Sequence, residues 1–352
     1  MKIILDAMSG DYAPNEILKG AVQARDEFGS ELVLVGRKEV ILRVAEEEGL
    51  SLDDIAIVDA RDVVTMEDSP MVVLREKKNS SMSVGLRLLS EGQGDAFVSA
   101  GNTGALTVGS TLLLHRVPYI ARAGIATIMP LRNPVLLMDS GASPEVNAKD
   151  LLQFAKMGSI CMERIYLVEN PRVGLLNNGA EHNKGRPVQI EAYELLSQSG
   201  LNFVGNVEGK DLPFNVCDVV VTDGFTGNIL LKFLEGMGRF MLLTLKDMFY
   251  ANTKSKISAF MMKEQVQDLK TRFDAAEYGG APLLGISKPV IKAHGSSNAR
   301  AVKNAIRQAE SFVRTGVVED IARFAFEEKE KERQAKAAAA ETLQKAAAQE
   351  SI

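Results

Sequence analysis

The chain has 352 residues, 46% of them hydrophobic and 25% charged, enough apolar material for a sizeable core, which excludes disorder throughout. A net charge of −5 with a pI near 5.5 argues against nucleic acid as the main partner, because phosphate neutralisation calls for a broadly basic surface. Length alone is compatible with two domains of about 150 residues or with one large α/β unit.

The amino terminus, MKIILD, reads as a strand over 2–6 closed by Asp6, and its short apolar run is no signal-peptide core. Further strands are expected at 31–35, 55–59, 95–99, 124–129, 134–139, 173–177, 217–223 and 289–294, separated by helical stretches. Segments such as VLLMD and VVVTD are apolar at successive positions, which predicts strands buried on both faces of a largely parallel sheet. The expected fold class is α/β, a three-layer α/β/α sandwich, in which ligands bind beyond the carboxyl ends of strands.

Three strand-to-helix loops share one grammar of small and polar residues. Ser99 leads into Gly101, Asn102, Thr103 and Gly104; Asp139 leads into Ser140, Gly141 and Ser143; Asp223 leads into Gly224, Thr226, Gly227 and Asn228. Helix N-termini present unpaired N–H groups and partial positive charge, so such loops suit an oxyanion. The same residue types also serve as plain N-caps. Lys232, further along the third helix, can reach an anion or extend into solvent. After the strand at 173–177 comes a polar cluster with His182 and Lys184, either a hydrated loop or a source of a fixed cation. Around the last strand lie Gly279, Gly280, His294 and Ser296, where His294 is the best placed of three histidines for proton transfer.

Two long helices over 226–249 and 254–273 form an expected hairpin linked near Ala251 and Asn252. Its second arm places Ile257, Phe260, Met261 and Met262 among lysines. Between Lys246 and Arg272, six basic residues against three acidic ones give a local charge of +3. This pattern suits an anionic membrane surface, with a subunit contact as the alternative. Beyond Phe326 the Ala/Glu/Lys-rich sequence predicts a helical or disordered tail at 327–352, leaving 1–326 as the catalytic domain. Cys161 and Cys217, far apart and without a CxxC, fit a reducing cytoplasm rather than a disulfide framework. No HExxH, GxSxG or GxGxxG fingerprint occurs, so a metal site, a hydrolase elbow and a nicotinamide-dependent dehydrogenase are all disfavoured.

Eight blocks occur in order between Met1 and about Val318: DAMSGDYAP, SAGNTGA, LMDSGA, GLLNNGAEHNKG, FVGNVEGKDL, DVVVTDGFTGNILLK, EYGGAPLLG and AHGSSN. Together they resemble bacterial phosphate acyltransferase, the acyl-ACP:phosphate acyltransferase of phospholipid synthesis. The resemblance implies a homodimer with a fold like isocitrate and isopropylmalate dehydrogenases and phosphotransacetylase, needing no cofactor. Phosphate would attack the thioester of a long-chain acyl carrier protein, and a downstream membrane glycerol-3-phosphate acyltransferase would use the acyl phosphate. A phosphotransacetylase-like enzyme acting on acyl-CoA is the alternative. Lys184, His294 and Asp223 are then the catalytic candidates. Asp6, Ser99, Gly101 to Gly104, Asp139, Gly141, Asn206, Gly224, Thr226, Gly227, Asn228, Lys232, Gly279, Gly280 and Ser296 are the expected substrate contacts. The implied location is the cytoplasm, peripherally on the inner face of the membrane. Ser9, Tyr12, Ser143 and the Arg186-Pro187 pair depart from the usual family pattern.

Overall fold

The computed structural model describes residues 1–272 and 275–350, with side chains at 268, 270, 272, 275 and 339–350 outside the description. Eleven strands form one sheet: β1 (Lys2–Asp6), β2 (Glu31–Gly36), β3 (Ala56–Asp59), β4 (Ala96–Ser99), β5 (Gly124–Met129), β6 (Val135–Met138), β7 (Val173–Asn177), β8 (Phe203–Glu208), β9 (Val219–Val221), β10 (Ala281–Leu284) and β11 (Val290–Lys292). Their spatial order is β3-β2-β1-β4-β11-β10-β5-β6-β9-β7-β8. The helices are α1 (Asn15–Phe28), α2 (Lys38–Glu47), α3 (Ser81–Ser90), α4 (Thr103–Gly109), α5 (Ala148–Ile165), α6 (Pro187–Ser197), α7 (Gly224–Tyr250), α8 (Thr253–Met261), α9 (Lys263–Arg272), α10 (Ala299–Thr315) and α11 (Val317–Glu350).

Successive strand residues feed opposite layers. Ile3 and Leu5 join one core with Leu18 of α1 and Val302 of α10, whereas Ile4 joins another with Met82 and Leu86 of α3. Leu136 and Met138 likewise pack with α5, while Val135 and Leu137 face Leu231 and Leu234 of α7. The two-sided burial expected from unbroken apolar runs is therefore present, in a three-layer arrangement.

Two strands escape the sequence pattern. Gly279, Gly280 and Pro282 make the segment read as loop, but β10 starts at Ala281 and runs antiparallel between β11 and β5. In β8, an edge strand, Gly205 at φ 93° interrupts the alternation where the register against β7 shifts. The β5–β6 pairing has a consequence for the site. β10 is antiparallel to both β11 and β5, so β5 keeps the direction of β11, and the antiparallel β5–β6 pair then turns β6, β9, β7 and β8 opposite to β1, β4, β11 and β5. The carboxyl ends thus fall on two edges of the sheet rather than one.

The hairpin is longer at its start and broken in its second arm: α7 begins at Gly224, and the return separates at Met262 into α8 and α9. Phe273, the expected end of that arm, lies outside the described residues. The last helix starts within the fold, with Val317, Ile321 and Ala325 buried, and continues through the Ala/Glu/Lys-rich segment.

Candidate active site

At the first edge, Asp6 ends β1 beneath the surface. It accepts hydroxyl hydrogen bonds from Ser9 (2.6 Å) and Ser99 (2.8 Å), and burial pushes its pKa up against these donors. The Ser99 oxygen in turn receives the Gly101 N–H at 3.1 Å. Asn102 caps α4 by accepting from Ala105 N–H, and its amide donates to the carbonyls of Thr65, Met66 and Asp68. That side chain is occupied with tying a loop down, so any anion at this helix start would meet backbone N–H groups of Thr103 and Gly104 rather than the Asn102 amide.

Beside Ser99 in the ladder stands Lys292, the last residue of β11 and absent from the sequence candidates. Its Nζ donates to the Ala293 carbonyl. Desolvation lowers its pKa to about 8; Asp11 and Asp6 oppose the fall, and the charge of Lys232 adds to it. A lysine ending an otherwise apolar, buried strand was the available signal, since lysine is seldom buried without a purpose. Two positions on, His294 is exposed. The Ser296 N–H donates to its Nδ1 (3.2 Å), and the Ser296 hydroxyl lies 2.8 Å from the same atom. In the neutral ring Nδ1 is the acceptor, so Nε2 carries the proton and is a hydrogen-bond donor. Gly279 adopts φ 83°, and a Cβ there would lie 2.4 Å from Asn304 backbone, so α10 can approach only a glycine.

The second edge holds the other candidates. The Asp139 carboxylate accepts N–H bonds from Ile125 (2.8 Å), Gly141 (2.9 Å), Ala142 (3.0 Å) and Ser143 (2.6 Å), while burial raises its pKa. Ser143, the departure from the family pattern, donates to the Ala123 carbonyl. The Asn228 amide donates to the Ser140 carbonyl and touches Gly141. Gly224 and Gly227 let α7 sit on this loop: a Cβ on Gly227 would be 1.9 Å from the Asp139 carbonyl oxygen. Asp223 caps α7 through Thr226 N–H (2.8 Å) and hydroxyl (2.9 Å) and receives Arg186 at 2.7 Å. Burial opposes its ionisation, yet these donors together hold its pKa below the usual carboxylate range. Arg186, read from sequence only as a departure, is thus the Asp223 counterion.

Asn177 and Asn206 brace the polar loop, donating to the carbonyls of Lys184 and Glu181. Lys184 is exposed, its stem lying over Gly179. An open cavity of about 630 Å³ beside it is lined by Asn177, Gly185, Arg186, Thr226 and Phe233.

The structure therefore gathers the candidates into two groups. Asp6, Ser99, Gly101 to Gly104, Gly279, Gly280, His294 and Ser296 form one, with Lys292 added. Asp139, Gly141, Asp223, Gly224, Thr226, Gly227, Asn228, Asn206 and Lys184 form the other. β5 spans the interval: Ile125 bonds to Asp139, and four residues on, about 14 Å along a strand, it ends at Met129 near the cavity that His294 lines. α7 follows the same course and brings Lys232 to Lys292. Among the described residues, no cluster of three or more His, Cys, Asp or Glu could hold a metal ion. Cys161 and Cys217 are buried, and burial lifts both thiols to about 12, too high for a nucleophile.

The fold is the α/β/α fold shared with phosphotransacetylases. A phosphotransacetylase from Streptococcus pyogenes superposes with a TM-score of 0.58 over 89% of this chain and 94% of its own, at 16% identity. A 4-hydroxythreonine-4-phosphate dehydrogenase from Klebsiella pneumoniae does so at 0.53, covering 89% and 99%, at 12% identity. Residues 1–320 match the family described as fatty acid synthesis protein. Proteins named phosphate acyltransferase are 45% identical over 91% of this chain and 96% of theirs in Caldanaerobacter subterraneus, and 41% identical over 92% and 96% in Clostridioides difficile. The chain belongs to the phosphate acyltransferase family, a family of acyltransferase enzymes of fatty acid and phospholipid synthesis.

Proposed function

We propose that the protein transfers a long-chain acyl group from acyl carrier protein to inorganic phosphate. The likeness to phosphate acyltransferases along nine-tenths of the chain carries this reading. The cationic, N–H-rich strand ends support it. A phosphate oxygen forms the new bond to the thioester carbon, the carbonyl electrons collect on an oxyanion, and the C–S bond then breaks. The thiolate takes a proton and leaves as free carrier protein. Phosphate is already an oxyanion near neutral pH, so positioning and electrostatics supply most of the catalysis and no cofactor is called for. Lys184 is the cation of the second edge that neutralises the phosphate or the developing oxyanion, and Lys232 and Lys292 are the alternative cations of the first edge, where His294 stands. The Nε2–H of His294 donates a hydrogen bond to the departing sulfur, which takes its proton from solvent. Asp223 acts by holding Arg186 and the start of α7.

The remaining assignments concern assembly. Phe225, Ile229, Phe233, Phe240 and Met248 form an exposed apolar stripe along α7, which suits a homodimer contact. At the hairpin tip, Ile257, Phe260, Met261 and Met262 stand 59%, 80%, 77% and 47% exposed among lysines, which suits peripheral attachment to anionic lipid on the cytoplasmic face of the membrane. No helix among the described residues is long and apolar enough to cross a membrane. From that surface the acyl phosphate would pass to a membrane glycerol-3-phosphate acyltransferase.

The test is to incubate purified protein with palmitoyl-ACP and phosphate and trap the product with hydroxylamine. Palmitoyl hydroxamate above the no-enzyme control is expected. Its absence with folded protein and several chain lengths overturns the proposal, and faster turnover of palmitoyl-CoA would replace the carrier protein as donor.

A further inference from the structure

A cavity of about 860 Å³ lies between the hairpin and the edge of the sheet. Its inner end is polar, with His294 and Ser296; Thr127 and Ile128 of β5 lie alongside. Its long wall is a second row on α7, made by Leu231, Leu234, Leu242 and Leu245 at helical spacing. These leucines are half-buried and lie on a different face from the exposed stripe of Phe225, Ile229 and Phe233.

We infer that this trough holds the hydrocarbon chain of the acyl substrate, with the thioester at the His294 end. The inference rests on the acyl-transfer reading and adds where the chain lies. Three observations select this occupant. The volume far exceeds what an acetyl group needs and is within the range of sites that enclose a drug-sized ligand. From Leu231 to Leu245 the wall is about 21 Å long at the helical rise per residue, while one leaflet of a bilayer core, about 15 Å, sets the length of an ordinary acyl chain. The leucine wall supplies apolar lining for methylenes next to the polar His294 end, while Glu235, Arg239, Lys246 and Lys263 also line the trough. Gly238 lies midway along the wall, with no atom within 4 Å of where its Cβ would stand, so the missing side chain leaves the trough open.

That open position supplies the test. Gly238→Phe adds bulk about 10 Å beyond Leu231, past the reach of a four-carbon chain and in the path of a sixteen-carbon one. The ratio of kcat/KM for palmitoyl-ACP to that for butyryl-ACP is expected to fall at least tenfold. Leu245→Trp, deeper in the trough, should lower the same ratio less and move the break to longer chains. An unchanged ratio in both folded variants, or breaks in the reverse order, overturns the assignment. Wild-type protein that makes no acyl phosphate from any chain length would instead overturn the acyl-transfer reading itself.

Discussion

The strand ends and the helical hairpin treat their side chains in opposite ways. Around Asp139 the carboxylates are answered from within the chain: four N–H groups on one carboxylate, Arg186 on Asp223, with the Asn228 amide on a neighbouring carbonyl. Along α7 and α8, Phe225, Phe233, Phe240, Phe260 and Met261 are each at least 60% exposed and find no internal partner surface. The contrast teaches that the sheet edges are finished by folding, whereas the hairpin is a surface awaiting other molecules.

The largest effect should come from adding a methyl group at the finished end. Gly227→Ala places a Cβ against the Asp139 carbonyl, and a loss of about 3 kcal/mol or more is expected, read as a lowered denaturant midpoint. A normal midpoint would mean that α7 shifts freely and that this edge is less rigid than its contacts imply. Next, Lys184→Ala should lower turnover about 10²-fold, the scale of one transition-state stabilising group, with the fold intact. Activity within a few-fold of wild type would make it an ordinary loop lysine and leave His294 as the leading candidate. At the hairpin, Phe260→Glu with Met261→Glu should abolish cosedimentation with anionic liposomes while leaving the mass of the proposed dimer unchanged. Dissociation instead would make the tip a subunit contact.

Lys292 offers a subtler test because its burial links charge to stability. Its folded pKa of about 8 lies below the ordinary 10.5 of lysine, so the cost of the buried cation is present below pH 8 and is relieved as pH rises from 8 towards 10.5. Lys292→Met should therefore melt higher than wild type at pH 7, with the advantage shrinking above pH 8. In wild type, kcat/KM for phosphate should fall above about pH 8, and the variant should lack that limb. The smallest expected change is at Gly236, with nothing within 4 Å of a Cβ, where Gly236→Ala should add about 1 kcal/mol of stability through helix propensity alone. A large loss there would show the hairpin to be packed more tightly than its exposure suggests.

The same contrast explains what was legible in the sequence. Strands such as VLLMD and VVVTD declared themselves because both faces are buried, and the loops after them were recognisable from Asp, Gly and Asn. What stayed hidden was direction: the antiparallel β10 begins within Gly-Gly-Ala-Pro, a string that reads as loop, and the antiparallel β5–β6 pairing, which no residue type marks, places Asp139 and Asp6 on different edges. Lys292 stayed hidden because its significance is environmental, set first by burial and then by Asp11, Asp6 and Lys232 from distant parts of the chain. Asn102 and Asp223 were marked from their residue types, and their side chains are engaged as caps, an alternative the residue types had left open.

The central claim is that phosphate itself attacks the acyl carbon. The direct measurement is mass spectrometry of the product formed from palmitoyl-ACP and phosphate labelled with 18O at all positions. Palmitoyl phosphate retaining all four labelled oxygens, including the one bridging carbon and phosphorus, is the expected result. Unlabelled palmitic acid as the sole product would contradict the account, because water would then be the nucleophile and the strand ends would not deliver phosphate.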